Sequence, residues 1–246
     1  MEDSFWWFVL AGFCAQLVDG ALSMAYGITA SSLLALFGLP PAATSATVHA
    51  AETVTSGFSM VSHHYFGNID RVLFRRLAVS GAIGAVLGAY ILTTLPGELM
   101  RPLVSTYLLI MGAVIIVKAF RTFPPVSVTN YLVPLGLFGS FIDAIGGGGW
   151  GPIVASTLIV RGNDTRKTIG TVAAAEFVVT LAASVTFLLT IGVSYWKVIV
   201  GLAIGGAVAA PIGAYACRRV PARPLMFVVG TVIMLLSLRV LVTVIR

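Results

Sequence analysis

Apolar residues run along this chain in long stretches, separated by short polar clusters rather than by a regular alternating face. Phe5 to Leu39 is apolar but interrupted at Asp19-Gly20 and again at Gly27, and Pro40-Pro41 ends it. One straight helix over that stretch would be about 50 Å long, against a hydrocarbon core of about 30 Å. Two shorter helices meeting inside the membrane fit better. Ala43 to Phe66 forms a second segment carrying His49, Glu52, His63 and His64. A loop at Gly67–Arg71 and basic Arg75-Arg76 follow, then spans at Leu77–Leu95 and Met100–Phe120. After a link around Phe123–Ser127 the plan repeats. A broken segment covers Tyr131–Val160, Arg161–Lys167 is a polar loop, and spans follow over residues 168–191, 197–217 and 224–245.

The break in the second half is the most distinctive stretch of the chain: Asp143-Ala-Ile-Gly-Gly-Gly-Gly-Trp-Gly-Pro152. Glycine lets the backbone turn and approach a ligand closely, and Pro152 suits the first turn of a new helix. Unwound amides before a helix N-terminus form an anion site. In lipid such backbone survives only when covered by protein or lining a cavity. A Gly-Pro break therefore points either to a transport site or to a close helix contact through small residues.

The two halves match at an offset of 124 residues. Asp19 falls on Asp143, Gly27 on Gly151 and Ser32 on Ser156. Thr44–Glu52 falls on Thr168–Glu176 with six of nine residues identical, and after one insertion Gly88-Ala89-Tyr90 falls on Gly213-Ala214-Tyr215 and Pro96 on Pro221. Apolar composition alone would rarely align Asp, Glu, Thr and Pro. We expect an all-α polytopic membrane protein made of two homologous repeats, residues 1–122 and 131–246, joined by a linker at 123–130. Each repeat would hold a broken, re-entrant helix pair plus three spans. If all eight segments crossed, Lys and Arg would divide equally between the faces. With both broken segments re-entrant, eleven fall on one face and three on the other. The positive-inside rule prefers the second arrangement, with inverted repeats and both termini outside the cytoplasm.

Composition narrows the function classes. Of 246 residues 58% are hydrophobic and 10% charged, with a mean hydropathy of +1.00, whereas a soluble domain carries about a quarter charged residues. The net charge of +6 sits at segment ends, so it is a topology signal and implies no nucleic-acid partner. The acidic start, Met1-Glu2-Asp3-Ser4, does not read as a cleaved signal peptide. Cys14 and Cys217 lie in apolar segments and suggest buried free thiols, neither a disulfide framework nor a metal site. No P-loop is present, so direct ATP use is not supported.

The glycine motif at 143–152, its counterpart at 19–27 and the chain length resemble the TauE/SafE family of sulfite and organosulfonate transporters. The resemblance implies a bacterial inner-membrane permease for small sulfur-containing anions such as sulfite, sulfoacetate or thiosulfate; we expect no cofactor and no catalytic residue. The first half departs from the glycine-rich pattern, reading Asp19-Gly-Ala-Leu-Ser-Met-Ala-Tyr-Gly27.

Substrate-contacting candidates are Gly146, Gly147, Gly148, Gly149, Trp150 and Gly151 at one break, and Gly20, Tyr26 and Gly27 at the other. Ser31, Ser32, Ser156 and Thr157 follow the breaks; their hydroxyls serve either an anion or their own helix backbone. Four acids form two matched pairs, Asp19/Asp143 and Glu52/Glu176. Carboxyls inside spans are candidates for proton or cation coupling. The Asp pair could equally cap broken-helix amides, and the Glu pair could bond across helices. A Glu that keeps its proton would donate to an anion rather than repel it. His49, one turn before Glu52, is either a relay or a structural His. His63-His64 reads as interfacial, as does Trp6-Trp7. Expected partners are a small anion, a coupling H⁺ or Na⁺ and the lipid bilayer, with a homodimer left open. The alternatives are an intramembrane enzyme or a non-transporting membrane assembly subunit.

Overall fold

The computed structural model describes residues 2–23, 26–120, 131–161, 163–192, 194–216 and 222–245. They are helical almost throughout: α1 Glu2–Leu22, α2 Tyr26–Leu36, α3 Pro41–Tyr65, α4 Arg71–Thr94, α5 Gly97–Phe120, α6 Leu132–Gly146, α7 Ser156–Val160, α8 Thr165–Thr190, α9 Trp196–Ala216 and α10 Ala222–Ile245. A π-helical turn, Gly151–Ala155, leads into α7. Two acidic caps set the helix starts. Asp70 accepts from the amides of Val72 and Leu73 at 2.9 and 3.0 Å, and Asp164 accepts from Lys167 at 2.7 Å. These caps place the helix starts earlier than the hydrophobic pattern did, so Arg75, Arg76, Arg166 and Lys167 lie on helices rather than in loops.

Two other expectations need adjusting. α1 runs unbroken through Asp19-Gly20 to Leu22, so the first break lies beyond it, and α1 and α2 differ in length, with 21 and 11 residues. Cys14 is exposed on the outer surface rather than buried. The expected linker at 123–130, Cys217 and the side chain of Ser156 lie outside the described residues.

The polar and apolar sides are arranged as a bilayer demands. Large apolar side chains such as Phe58, Val79, Ile110 and Leu188 are exposed, while His49, Glu52, Ser56, Ser59 and Asp143 are buried. Among the described residues, five helices are long and apolar enough to cross a membrane: those over Phe5–Leu22, Arg71–Thr94, Gly97–Val117, Thr165–Thr190 and Trp196–Ala216. α3, at 25 residues, has the length but carries Ser45, His49, Glu52, Ser56, Ser59 and His63 along one buried face. Their spacing of four, three, four, three and four is a single helical stripe.

Helix directions follow from the contacts. Thr53 meets Ser184, Ser56 meets Thr180, and Gly57 meets Phe177, so α3 and α8 are antiparallel. α5 and α10 are antiparallel too, Gly112 lying against Met234 and Gly230, and Phe120 against Phe227. By contrast α4 and α6 run parallel, with Ser80 at Gly136, Gly84 at Leu137 and Gly88 at Phe141. α1 and α9 do the same, with Phe5 at Gly201, Val9 at Gly205 and Gly20 at Gly213. Gly84 and Gly88, four residues apart on one face of α4, thus bring two helix backbones together.

Candidate functional site at the two helix breaks

Each break is bridged by an aspartate. Asp143 Oδ1 accepts from the Trp150 amide at 2.9 Å, and Asp19 Oδ1 accepts from the Tyr26 amide at 3.3 Å. In both cases the carboxylate reaches seven residues ahead, to an amide at the start of the next helical stretch. That amide has no intrahelical partner, and a carboxylate is a natural cap for it. The Asp143 carbonyl also accepts from Gly147 and, at 3.0 Å, from Gly148. The amides of Gly147, Gly148 and Trp150, which the sequence offers as an anion cradle, are thus engaged by Asp143 itself.

The glycines are required here. Gly147, Gly148 and Gly149 have φ of 69°, 150° and 146°, a region that costs other residues about 1–3 kcal/mol. Gly148 also lies directly on the backbone of Gly27, with no room for a Cβ on either. The two breaks therefore touch each other at the centre of the protein. Their carbonyls are held by hydroxyls: Ser31 donates to Gly147, Tyr107 to Gly148 at 2.9 Å, and Ser45 to Ala144 at 2.6 Å. Gly146 packs on the Tyr107 ring, and Gly20 packs on Gly213. Gly151 is buried in the π turn. Trp150 and Tyr26 are fully packed, their polar ends donating to the carbonyls of Val172 (3.1 Å) and Leu202 (3.3 Å).

The acids converge on this crossing. Glu52 and Glu176 enter from α3 and α8, both buried, and lie within electrostatic reach of Asp19, Asp143 and each other. Glu52 lies against Gly27, and its Oε2 has no hydrogen-bond partner among the described residues. His49 Nε2 is 3.1 Å from Asp143 Oδ2, while its Nδ1 is 2.8 Å from the Ser45 carbonyl. A carbonyl only accepts, so Nδ1 carries a hydrogen. The contact between Nε2 and the carboxylate then needs a second proton, on the imidazole or on Asp143. This pair shares a proton in the heart of the site, and Ala173, at His49's matching position, offers nothing equivalent.

The sequence candidates Asp19, Asp143, Glu52, Glu176, His49, Gly27, Gly147, Gly148, Tyr26, Trp150 and Ser31 are thus brought together. Ser32 is buried on α2, its hydroxyl unpartnered among the described residues. Ser45 and Tyr107 went unnoticed in the sequence. Ser45 lies one turn before His49 on the polar stripe, a signal that was readable; Tyr107 is a lone tyrosine in an apolar span and left none. His63, near the end of α3, turns inward and is fully buried, while His64 stays exposed. Among the described residues no group of His, Cys, Asp and Glu could hold a metal ion.

On one side of the crossing, a crevice among α3, α8 and the turn before α9 includes Thr47, Ser184, Ser194 and Tyr195 and is bounded by Phe187. The Phe187 ring centroid is 6.0 Å from that of His49. On the other side, Arg166 donates to the Phe66 carbonyl (2.8 Å) and to Asn68 Oδ1 (2.6 Å), and Lys167 donates to the Gly67 carbonyl (2.9 Å).

Comparison with known proteins agrees with this picture. The probable membrane transporter protein YtnM of Bacillus subtilis (strain 168) is 39% identical over 245 residues, covering 96% of this chain and 82% of that protein. No solved structure matches. The model of the sulfite exporter TauE/SafE family matches residues 8–240, so this chain is an integral membrane protein of that family, a membrane transporter whose two broken helices cross at a buried cluster of acids.

Proposed function

We propose that this protein is a secondary transporter of small sulfur-containing oxyanions such as sulfite, a sulfonate or thiosulfate across the bacterial plasma membrane. Transport is coupled to protons held by the central acids. The observation that carries this reading is the meeting of both breaks, Gly27 on Gly148, beside Glu52, Glu176 and the His49–Asp143 pair. Irregular backbone and ionisable groups at the core of a membrane protein are what a transport site requires. Both are costly where no ligand is handled. With the breaks' own amides capped by Asp19 and Asp143, the anion contacts side chains and whatever amides a movement of those aspartates releases.

We also read the chain as two inverted repeats with re-entrant breaks, which alternating access across the crossing would use. The helix directions support this. α8 and α9 are joined by a short turn and so run oppositely. α3 opposes α8 and α9 parallels α1, so α1 and α3 point the same way and α2 returns to the face from which α1 entered. The same steps applied to α4, α6 and α8 give the same answer for the second break. Arg166 and Lys167 contact residues 66–68, which supports the shared face that this topology requires for the α3–α4 turn and the start of α8.

Counterflow in proteoliposomes tests the function. Sulfite, sulfoacetate and thiosulfate are loaded inside, labelled sulfite is supplied outside, and a simple carboxylate serves as control. Saturable exchange of sulfur oxyanions is expected; flux that neither saturates nor discriminates would replace the carrier with a channel.

A further inference from the structure

We propose that a lane of uncharged donors between α3 and the first break, formed by Ser23, Ser59 and His63, is a binding station for the transported oxyanion. It would lie between the central acids and the face that carries Arg166. This deepens the transport reading above and rests on it.

The lane is defined by its ends. Along one ridge of α3, Glu52 lies against Gly27, Thr55 beside Tyr26, and His63 against the backbone of Gly20. Rising along α3, the ridge thus meets the first break in reverse order. Ser59 stands between Thr55 and His63 on that ridge, and Ser23 stands between Tyr26 and Gly20 on the break. Each is at most 1% exposed, as is His63. The hydroxyls of Ser23 and Ser59 and Nε2 of His63 make no hydrogen bond among the described residues. α1 and α3 are both held by α9 and scarcely touch each other along their backbones, which leaves the space between them to side chains. Buried polar groups without partners are rare and costly, and three in one lane call for a ligand with several oxygens.

The chemistry of the lane fits an anion. Arg166 Nε donates to Asn68 Oδ1, so the amide nitrogen of Asn68 is the group facing His63 Nδ1, at 3.0 Å. That nitrogen donates, hence Nδ1 accepts, and neutral His63 carries its hydrogen on Nε2. A relay from a guanidinium through an amide to an imidazole thus ends in an N–H on the side of the ring that faces the Gly20 backbone, with no hydrogen bond completed among the described residues. Two hydroxyls and one N–H can each donate to an oxyanion without the cost of burying a fixed cation. Ser23 is also held at φ 51°, in left-handed backbone that a non-glycine residue seldom adopts.

The scaffold does not need these polar groups. At the 124-residue offset, Ser23, Ser59 and His63 correspond to Gly147, Ala183 and Phe187, which are buried and closely packed. One half of the molecule thus has a polar lane where the other has an apolar one, so the station is single.

The test uses the full chain in lipid nanodiscs and in proteoliposomes, with sulfite and sulfoacetate as probes and acetate as control. Ser23→Gly and Ser59→Ala install the residues that the other half already accommodates, and Ser23→Gly also relieves the left-handed backbone, so both variants should fold. Each is expected to raise the KM and the Kd for sulfite about tenfold, the effect of losing one hydrogen bond to a charged ligand, with the melting temperature not lowered. His63→Gln, which keeps a donor, should retain more affinity than His63→Phe. Values within twofold of the parent in all four variants would mean that the lane holds only water, and would overturn the proposal while leaving transport intact. If the parent binds sulfite but does not carry it, the transport reading fails and the Kd values alone decide the lane. If it does neither, both are overturned.

Discussion

The sharpest test of the site's construction is Asp143. Replacing it with alanine removes the acceptor of the Trp150 amide at 2.9 Å and the partner of His49 at 3.1 Å. Both partners are buried, and each group left unsatisfied costs about 1–3 kcal/mol, so Asp143→Ala should destabilise the fold by about 3–5 kcal/mol. That is a large part of a typical stability of about 5–15 kcal/mol. Asp143→Asn behaves differently. Its amide oxygen still accepts from Trp150, and its NH₂ donates to His49 Nε2, which is an acceptor once Nδ1 carries the hydrogen facing Ser45. Both hydrogen bonds survive and only the shared proton is lost, so the stability cost should be about 1 kcal/mol or less. Unfolding followed by tryptophan fluorescence in detergent micelles would measure this, since Trp150 sits at the break. At roughly 2–4 °C per kcal/mol for a chain of this size, Asp143→Ala should melt about ten degrees lower and Asp143→Asn within a few degrees of the parent. Equal loss in both variants would refute the proton assignment; no loss in either would refute the capping role.

Three further outcomes are expected. Glu52→Gln or Glu176→Gln should abolish pH-dependent sulfite uptake in proteoliposomes, and unchanged pH dependence in both variants would remove the glutamates from coupling. Single cysteines at Tyr65 and Thr165, in a background lacking Cys14 and Cys217, should label from the same face, and a cysteine at Ser194 from the other; Tyr65 and Thr165 on opposite faces would reject the re-entrant topology. Gly148→Ala should cost a few kcal/mol, through left-handed backbone strain and collision with Gly27, so a variant melting like the parent would mean that the breaks do not meet as described.

Much of this protein was legible in one dimension because a membrane imposes simple rules. Apolar stretches had to be helices, since lipid offers no partner for free amides. The glycine run had to mark a break, because no other residue adopts three successive positive φ angles cheaply. Matched polar residues at the 124-residue offset, and acids inside apolar stretches, were visible as departures from what hydrocarbon tolerates. Helix starts were misjudged where Asp70 and Asp164 cap earlier than the hydropathy changes, because a cap is a local hydrogen bond and leaves hydropathy untouched.

What periodicity could not supply was who faces whom. That Asp143 occupies its own amide cradle depends on a carboxylate folding back across seven residues. That His49 shares a proton with Asp143 depends on α3 passing α6, with 94 residues between the partners. His63 sits at a span end in the sequence; that it faces inward there depends on Asn68, which Arg166 holds from 98 residues away. Sequence by itself determined that the chain spans a membrane as helices with two breaks, since each of those follows from the local cost of putting a given residue in lipid. Only the tertiary structure decided that the breaks touch, which acids gather there and which polar groups are left without partners, because those depend on contacts between segments far apart in the chain.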